Sequence, residues 1–253
     1  MAFVGGTLGH GILKVIHPPT DPEFASSVET YDCSKSKLLT HFGPDIFSRV
    51  RGKTVIDFGA GKGREVVEFA KHGAKRVIGI EIQERFRREA KAAIQHAGLN
   101  HICSVAETTD EKADLAFSLD SFEHFDDPGG ILQLMADLIH DDGEVMISFG
   151  WPWYHPNGGH LFSVFPWAHL MFTEACLCKW RAEFKEDGAT RFSEVEGGLN
   201  QMTIQRFEQL VAQSELELVE MQLTPIRPLR WLHCRLTREF TTALIGARLR
   251  KRN

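Results

Sequence analysis

The stretch Val55-Ile56-Asp57-Phe58-Gly59-Ala60-Gly61-Lys62-Gly63 constrains this chain more than any other. It reads as a buried strand running into a glycine turn and then a helix. Glycine inside a strand costs entropy and fills no space, so three glycines at alternate positions are better explained by backbone passing close to a ligand. The following helix, from Arg64 to His72, points the N–H groups of its first turn into the same bend and can hold an anionic group. The expectation is that the amides at 59, 61 and 63 are left bare for that ligand.

From Lys53 to Phe149 strand and helix patterns alternate regularly. Strands are expected at 53–58, 76–81, 101–105, 113–119 and 143–149, and helices at 62–72, 84–97 and 128–140. Runs such as Val-Ile-Asp-Phe and Val-Ile-Gly-Ile are apolar on both faces, as a central parallel sheet requires. In such a sheet ligands collect beyond the carboxyl ends of the strands, where the strand order reverses. At 253 residues the chain can form one large α/β domain, or a domain with an inserted lid. A net charge of −5 argues against a general nucleic-acid binder, and the basic tail Arg248, Arg250, Lys251 and Arg252 reads as a solvated terminus. Five cysteines without paired spacing fit reduced thiols. With neither a basic leader nor an apolar run long enough to span a bilayer, a cytoplasmic protein is expected.

Two cofactor classes use a glycine turn of this kind. A dinucleotide fingerprint needs glycine at its first, third and sixth positions, which here are Gly59, Gly61 and Arg64, so Arg64 breaks it. The pattern present is acidic-x-Gly-x-Gly-x-Gly. The second strand, Arg76 to Glu81, ends on an acid about twenty residues later, where a ribose diol needs an acceptor. Further on, Asp114 to Pro128 reads as a strand, a polar loop with Asp120-Ser121-Phe122-Glu123-His124, and a proline-started helix capped by Asp126 or Asp127. Together these segments resemble the class I S-adenosylmethionine-dependent methyltransferases of type 11, the ubiquinone/menaquinone methyltransferase-like group.

The resemblance implies an α/β, Rossmann-like sheet of seven mostly parallel strands with helices on both faces and an antiparallel last strand. It implies S-adenosyl-L-methionine as cofactor, held by Asp57, Gly59, Ala60, Gly61 and Gly63, with Glu81 on the ribose. Ile82 and Glu107 would meet the adenine and Asp120 the ammonium. His124 is a candidate general base toward a small-molecule acceptor, its unperturbed pKa being about 6.5. Two other readings stay open: an NAD-linked oxidoreductase on a related sheet, and a cofactor-binding scaffold that docks a partner or membrane.

Between Gly150 and Asn200 the alternation breaks into an aromatic-rich insert holding four of the five tryptophans. Segments this long after a fifth strand are lids or binding loops, so Trp153, Tyr154, His155, His160, Trp167 and His169 are expected to line the acceptor site, with His160 a second catalytic candidate. His155, His160 and His169, with or without Glu174, raise a metal reading. Their separations of five and nine lack the i, i+4 spacing of zinc ligands, and no metal is expected. Residues 1–50 are assigned to an N-terminal arm and cap helices, and 51–253 to the main domain with 150–200 inserted. The arm, 1–30, reads as irregular punctuation. In the cap, Ser34–Phe42 and Ile46–Val50 read as helices, with Ser36 and Lys37 either touching ligand or solvated. A helix at about 203–214 and a strand at 216–223 follow. Next comes a short helical pattern at 225–238, whose Arg227 and Arg230 either bind an acidic acceptor group or lie solvated. Residues 240–249 form an antiparallel seventh strand or a terminal helix.

Overall fold

A computed structural model describes residues 2–16, 36–195 and 197–252. Seven strands form one sheet in the order β3-β2-β1-β4-β5-β7-β6. They are β1 Thr54–Phe58, β2 Arg76–Ile80, β3 Cys103–Ala106, β4 Ala113–Leu119, β5 Ile139–Gly150, β6 Leu216–Pro225 and β7 Thr242–Lys251. The first five pair in parallel, and β7 runs antiparallel between β5 and β6. The expected antiparallel last strand is therefore present, and the terminal-helix alternative falls.

Strand periodicity divides the core. Ile56 and Phe58 face a cluster with Leu132, Met135 and Phe207, while Val55 faces one with Leu38, Val66, Phe69 and Ile94. These residues come from helices on opposite faces. α2 (Lys37–Phe42), α3 (Ile46–Val50), α4 (Arg64–Lys71) and α5 (Glu84–His96) cover one face, and α6 (Pro128–Leu138) and α9 (Ile204–Gln213) the other. Side chains cap some of the helix starts. The Ser36 hydroxyl accepts from the Leu39 N–H at 3.1 Å, and the Asp127 carboxylate accepts from the Gly130 N–H at 2.9 Å just before Pro128.

The structure departs from the sequence expectations in three places. β5 starts at Ile139 rather than 143, directly after α6, because Ile139 already pairs with Ala113 ahead of a bulge. The basic tail is not a solvated terminus. Within and just after β7, Arg248 pairs with Glu144 and Glu220, Arg250 with Glu217, and Lys251 with Asp141, while Arg252 donates to backbone carbonyls. The N-terminal segment is not all punctuation. Gly6–Ile16 is a helix, α1, and the Phe3 and Val4 amides donate to the Met171 carbonyl. The remainder of the expected arm, from His17, and the first two residues of the Ser34–Phe42 helix lie outside the described residues.

α1 joins the insert in a third core. Leu13 packs with Phe162, Phe172, Leu177, Trp180, Phe192 and Leu199, supplied by the turn His160–Phe162, by α8 (Glu174–Arg181, after the short α7, Ala168–Met171) and by loop residues up to 199. Gly9 is close-packed, since a Cβ there would lie 3.0 Å from Cys176 Sγ. Among the described residues, no helix is long and apolar enough to cross a membrane.

Candidate active site at the reversal of strand order

The strand order reverses between β1 and β4, so the turns leaving these two strands face one crevice. Gly59, Gly61 and Gly63 have φ of +75°, +49° and +76°, a region open to glycine at little cost. Their amides are not bare. Gly59 N–H donates to the Ile80 carbonyl at 2.9 Å, Gly61 N–H to Glu81 Oε2 at 2.9 Å, and Gly63 N–H to the Ala60 carbonyl at 2.8 Å. The expectation of unpaired amides is overturned, because the turn uses them to fix its own shape.

The glycines differ in what they leave room for. A Cβ at Gly59 would lie 2.6 Å from Ser121 Cβ, and one at Gly63 2.8 Å from Ala90 Cβ. These two permit close packing inside the protein. A Cβ at Gly61 meets nothing within 4 Å, so the turn opens onto the crevice at that position. Ala60 is buried, 2.8 Å from where a Gly79 Cβ would stand. Glu81 is buried too, and its two oxygens accept the Gly61 and Gln83 amides. A carboxylate offers about four lone-pair positions, so two remain for further donors. Ile82 beside it is 74% exposed, and Arg87 ties the strand end together by donating to the carbonyls of residues 81 and 82. Glu107 is exposed and pairs with Arg87 at 3.5 Å.

Asp120 closes β4 in a left-handed conformation, φ +49°, uncommon for a residue with a side chain. Its amide is held by the Ser148 carbonyl at 2.8 Å, and its carboxylate forms an ion pair with the Lys37 ammonium at 3.1 Å. Lys37 is thus not a solvated surface lysine. Burial works against its charge, but Asp120, Glu65 and Glu123 outweigh that and raise its pKa. The His41 ring bonds Ser148 Oγ at 2.7 Å, and burial lowers its pKa. Asp57 is buried just before the turn. Burial first and then the charge of Glu65 push its carboxyl well above the usual range, against the pull of Lys37. Carboxylates outnumber the ammonium here, so the crevice suits a cationic ligand.

The insert separates the histidines that the sequence grouped together. His169 uses both ring nitrogens internally, on Ser163 Oγ at 3.0 Å and the Trp153 carbonyl at 2.7 Å, and burial lowers its pKa to about 4. His155 Nδ1 accepts the Asn157 N–H at 2.9 Å, and burial, then His169, lowers it to about 4. Both rings are thus engaged within the insert's own loops. Trp153 packs on Phe192 in the satellite core, Trp167 donates to the Tyr154 carbonyl, and the Tyr154 ring lies 5.0 Å from that of Phe240. Glu174 accepts the Phe192 N–H and takes no part in a metal cluster with them.

His160 alone of the three turns toward β4. Its ring lies 5.1 Å from that of His124, and one potential ligand atom from each of Glu123, His124 and His160 falls within 4.8 Å of the others. Burial, then His124, lowers the His160 pKa to about 3. Burial, then Asp120, pushes Glu123 well above the usual carboxylate range. Trp151, which follows β5, has φ +46° and stands edge-on to His160 at 5.7 Å. Sequence spacing could not bring His160 to Glu123-His124, because their encounter depends on the path of a loop rather than on a helical period.

A sequence model described as a methyltransferase domain matches residues 29–221. The ubiquinone biosynthesis O-methyltransferase of Neisseria meningitidis serogroup C is 31% identical over 109 residues, covering 39% of this chain and 44% of that protein. The chain thus aligns with less than half the length of this curated relative. The mitomycin 7-O-methyltransferase MmcR superposes with a TM-score of 0.57 at 15% identity, over 96% of this chain and 60% of that one. An S-adenosylmethionine-dependent methyltransferase from Mesorhizobium loti gives 0.53 at 15% identity, over 80% and 92%. At such identities these structures speak for the fold alone.

Proposed function

The chain belongs to the methyltransferase-domain family, and from that premise we propose that it transfers a methyl group from S-adenosylmethionine to a hydroxyl of a small-molecule acceptor. The observation that carries the reading is the set of groups at the strand reversal. These are an open glycine at 61, the Glu81 carboxylate with lone pairs to spare, the exposed apolar Ile82, and Asp120 already holding an ammonium. A nucleoside carrying a sulfonium and an ammonium matches each in turn. Its ribose hydroxyls suit Glu81, its adenine lies along Ile82 toward Glu107, and its ammonium replaces that of Lys37 on Asp120. Asp57, Gly59, Ala60 and Gly63 shape the turn that seats it. The cofactor supplies an electrophilic methyl group; the chain's own work is to align and desolvate the partners, which can lower a barrier by roughly 7–11 kcal/mol.

The acceptor's hydroxyl is handled at Glu123, His124 and His160, which adjoin Asp120 on the insert side. The match to an O-methyltransferase supports oxygen as the atom methylated. Arg64 in place of the third dinucleotide glycine speaks against NAD. Calorimetry with S-adenosylmethionine and S-adenosylhomocysteine tests the reading. Both should bind, NADH should not, and Glu81→Ala and Asp120→Ala should each weaken binding at least about tenfold, equivalent to 1.4 kcal/mol. Absence of binding by both nucleosides at saturating concentration would overturn it.

A further inference from the structure

We infer that the connection between β6 and β7 is a docking surface for a membrane that carries anionic lipid. Residues 221–238 contain four arginines, at 227, 230, 235 and 238, and no acidic residue, in a chain whose net charge is −5. Arg238 is taken up by Glu208. Arg227, Arg230 and Arg235 are exposed, and their side chains form no ion pair or hydrogen bond among the described residues. Interleaved with them are Trp231, Leu232 and Leu236, which are 78%, 41% and 92% exposed. Large apolar groups gathered in one short turn mark a surface with something to bind, and the free guanidinium groups beside them specify an anionic one.

The backbone that displays these side chains is tied down. Ile226 N–H donates to the Thr241 carbonyl at 2.8 Å, and the His233 ring bonds Thr241 Oγ1 at 2.8 Å. Thr237 Oγ1 accepts the Cys234 N–H at 3.1 Å and donates to the Leu232 carbonyl. A turn held in this way loses little conformational freedom on docking. An exposure of 92% at Leu236 means a side chain that projects from the surface rather than lines a groove, so it suits a soft medium that closes around it. Tryptophan belongs at the boundary between headgroups and acyl chains, leucine just below it, and arginine on the lipid phosphates. Other apolar surfaces fit less well. Trp153, Trp167 and Trp180 of the insert are committed to contacts within the chain. α1 exposes Leu8, Ile12 and Val15, but the basic residues beside them, His10 and Lys14, are both bound to Glu183.

β7 runs antiparallel to both neighbours, with Gly150 opposite Leu244 and Pro225 opposite Thr242, so the β6–β7 connection lies at the carboxyl end of β5. Asp120 closes β4 at the same edge of the sheet, where the crevice opens. Docking through this turn sets that edge toward the membrane. The use of such an orientation in catalysis rests on the function proposed above; the docking itself does not. Each arginine near an anionic surface is worth about fivefold in affinity and three together on the order of a hundredfold, an attraction that fades beyond about 8 Å at physiological ionic strength.

The test sediments the untagged full chain with vesicles of phosphatidylcholine, either alone or mixed with phosphatidylglycerol. The chain should pellet with the mixed vesicles only, and less as salt is raised. Replacing Arg227, Arg230 and Arg235 together by alanine should weaken binding at least about tenfold, and Leu236→Ser at least about threefold. Trp231→Phe should keep most of the binding yet lose the quenching of tryptophan emission by bromine-labelled lipid, which a merely structural role would not produce. Val15→Ser, at a position on α1 that is 83% exposed, should bind as the parent does. Circular dichroism identifies any variant that has not folded. Failure of the parent chain to pellet with the mixed vesicles, quenching that persists in Trp231→Phe, or a loss in Val15→Ser equal to that in Leu236→Ser would overturn the proposal. Retention on heparin without vesicle binding would overturn it too, by assigning the arginines to another polyanion. No readout involves S-adenosylmethionine, so the docking surface and the methyl-transfer reading can fail separately.

Discussion

Gly59 and Gly61 lie two residues apart in one turn and do different work. Alanine at 59 must accept φ +75° and a Cβ 2.6 Å from that of Ser121, so it should lower stability by about 2–4 kcal/mol in urea unfolding. Alanine at 61 meets open space and should cost only about 1–2 kcal/mol for its left-handed backbone. It should nonetheless reduce S-adenosylmethionine affinity in calorimetry, because its methyl group would stand in the path of the nucleoside as proposed above. The sequence marks all three glycines and does not rank them. Ranking requires knowing what faces each Cα, which is a neighbour from another element at 59 and 63 and the crevice at 61.

Among the elements, α1 is the one least legible beforehand. Its glycines at 6, 9 and 11 read as punctuation, yet Gly9 admits Cys176 and Leu13 enters the insert's core without exposure. Leu13→Ala should cost about 2–5 kcal/mol, read as a lower urea midpoint for the intrinsic fluorescence of the tryptophan-rich insert. A drop below about 1 kcal/mol would show that α1 contributes little to holding that core. The central strands and helices were legible because each obeys a local period. The insert was not, since its aromatics and histidines serve a satellite core whose partners lie at both ends of the chain's first two hundred residues.

For the molecule as a whole, the buried neutral histidines set an acid limit. His155 and His169 have pKa values of about 4 in the folded chain against 6.5 when free. The unfolded chain therefore binds more protons between these values, so stability is full above 6.5 and falls as the pH drops toward 4. At about pH 5.5 the loss should be about 1 kcal/mol for each histidine. Thermal melts of His169→Gln across this window should show a shallower slope than the parent, and an unchanged slope would remove His169 from the account. The same scale explains the C-terminal tail. Its basic residues looked like a solvated end because their acidic partners, Asp141, Glu144, Glu217 and Glu220, lie on neighbouring strands.

By itself the sequence determined the alternating α/β order, the glycine turn, the acid ending β2 and the capped helix at Pro128. Each of these is written in spacing within a few residues, through hydrophobic period, capping chemistry and backbone freedom. Only the tertiary structure decided which amides the turn consumes, that Lys37 sits on Asp120, and that His160 meets Glu123 and His124 while His155 and His169 do not. Those outcomes depend on side chains far apart in the chain competing for the same donors and the same space, and no local period records the result of that competition.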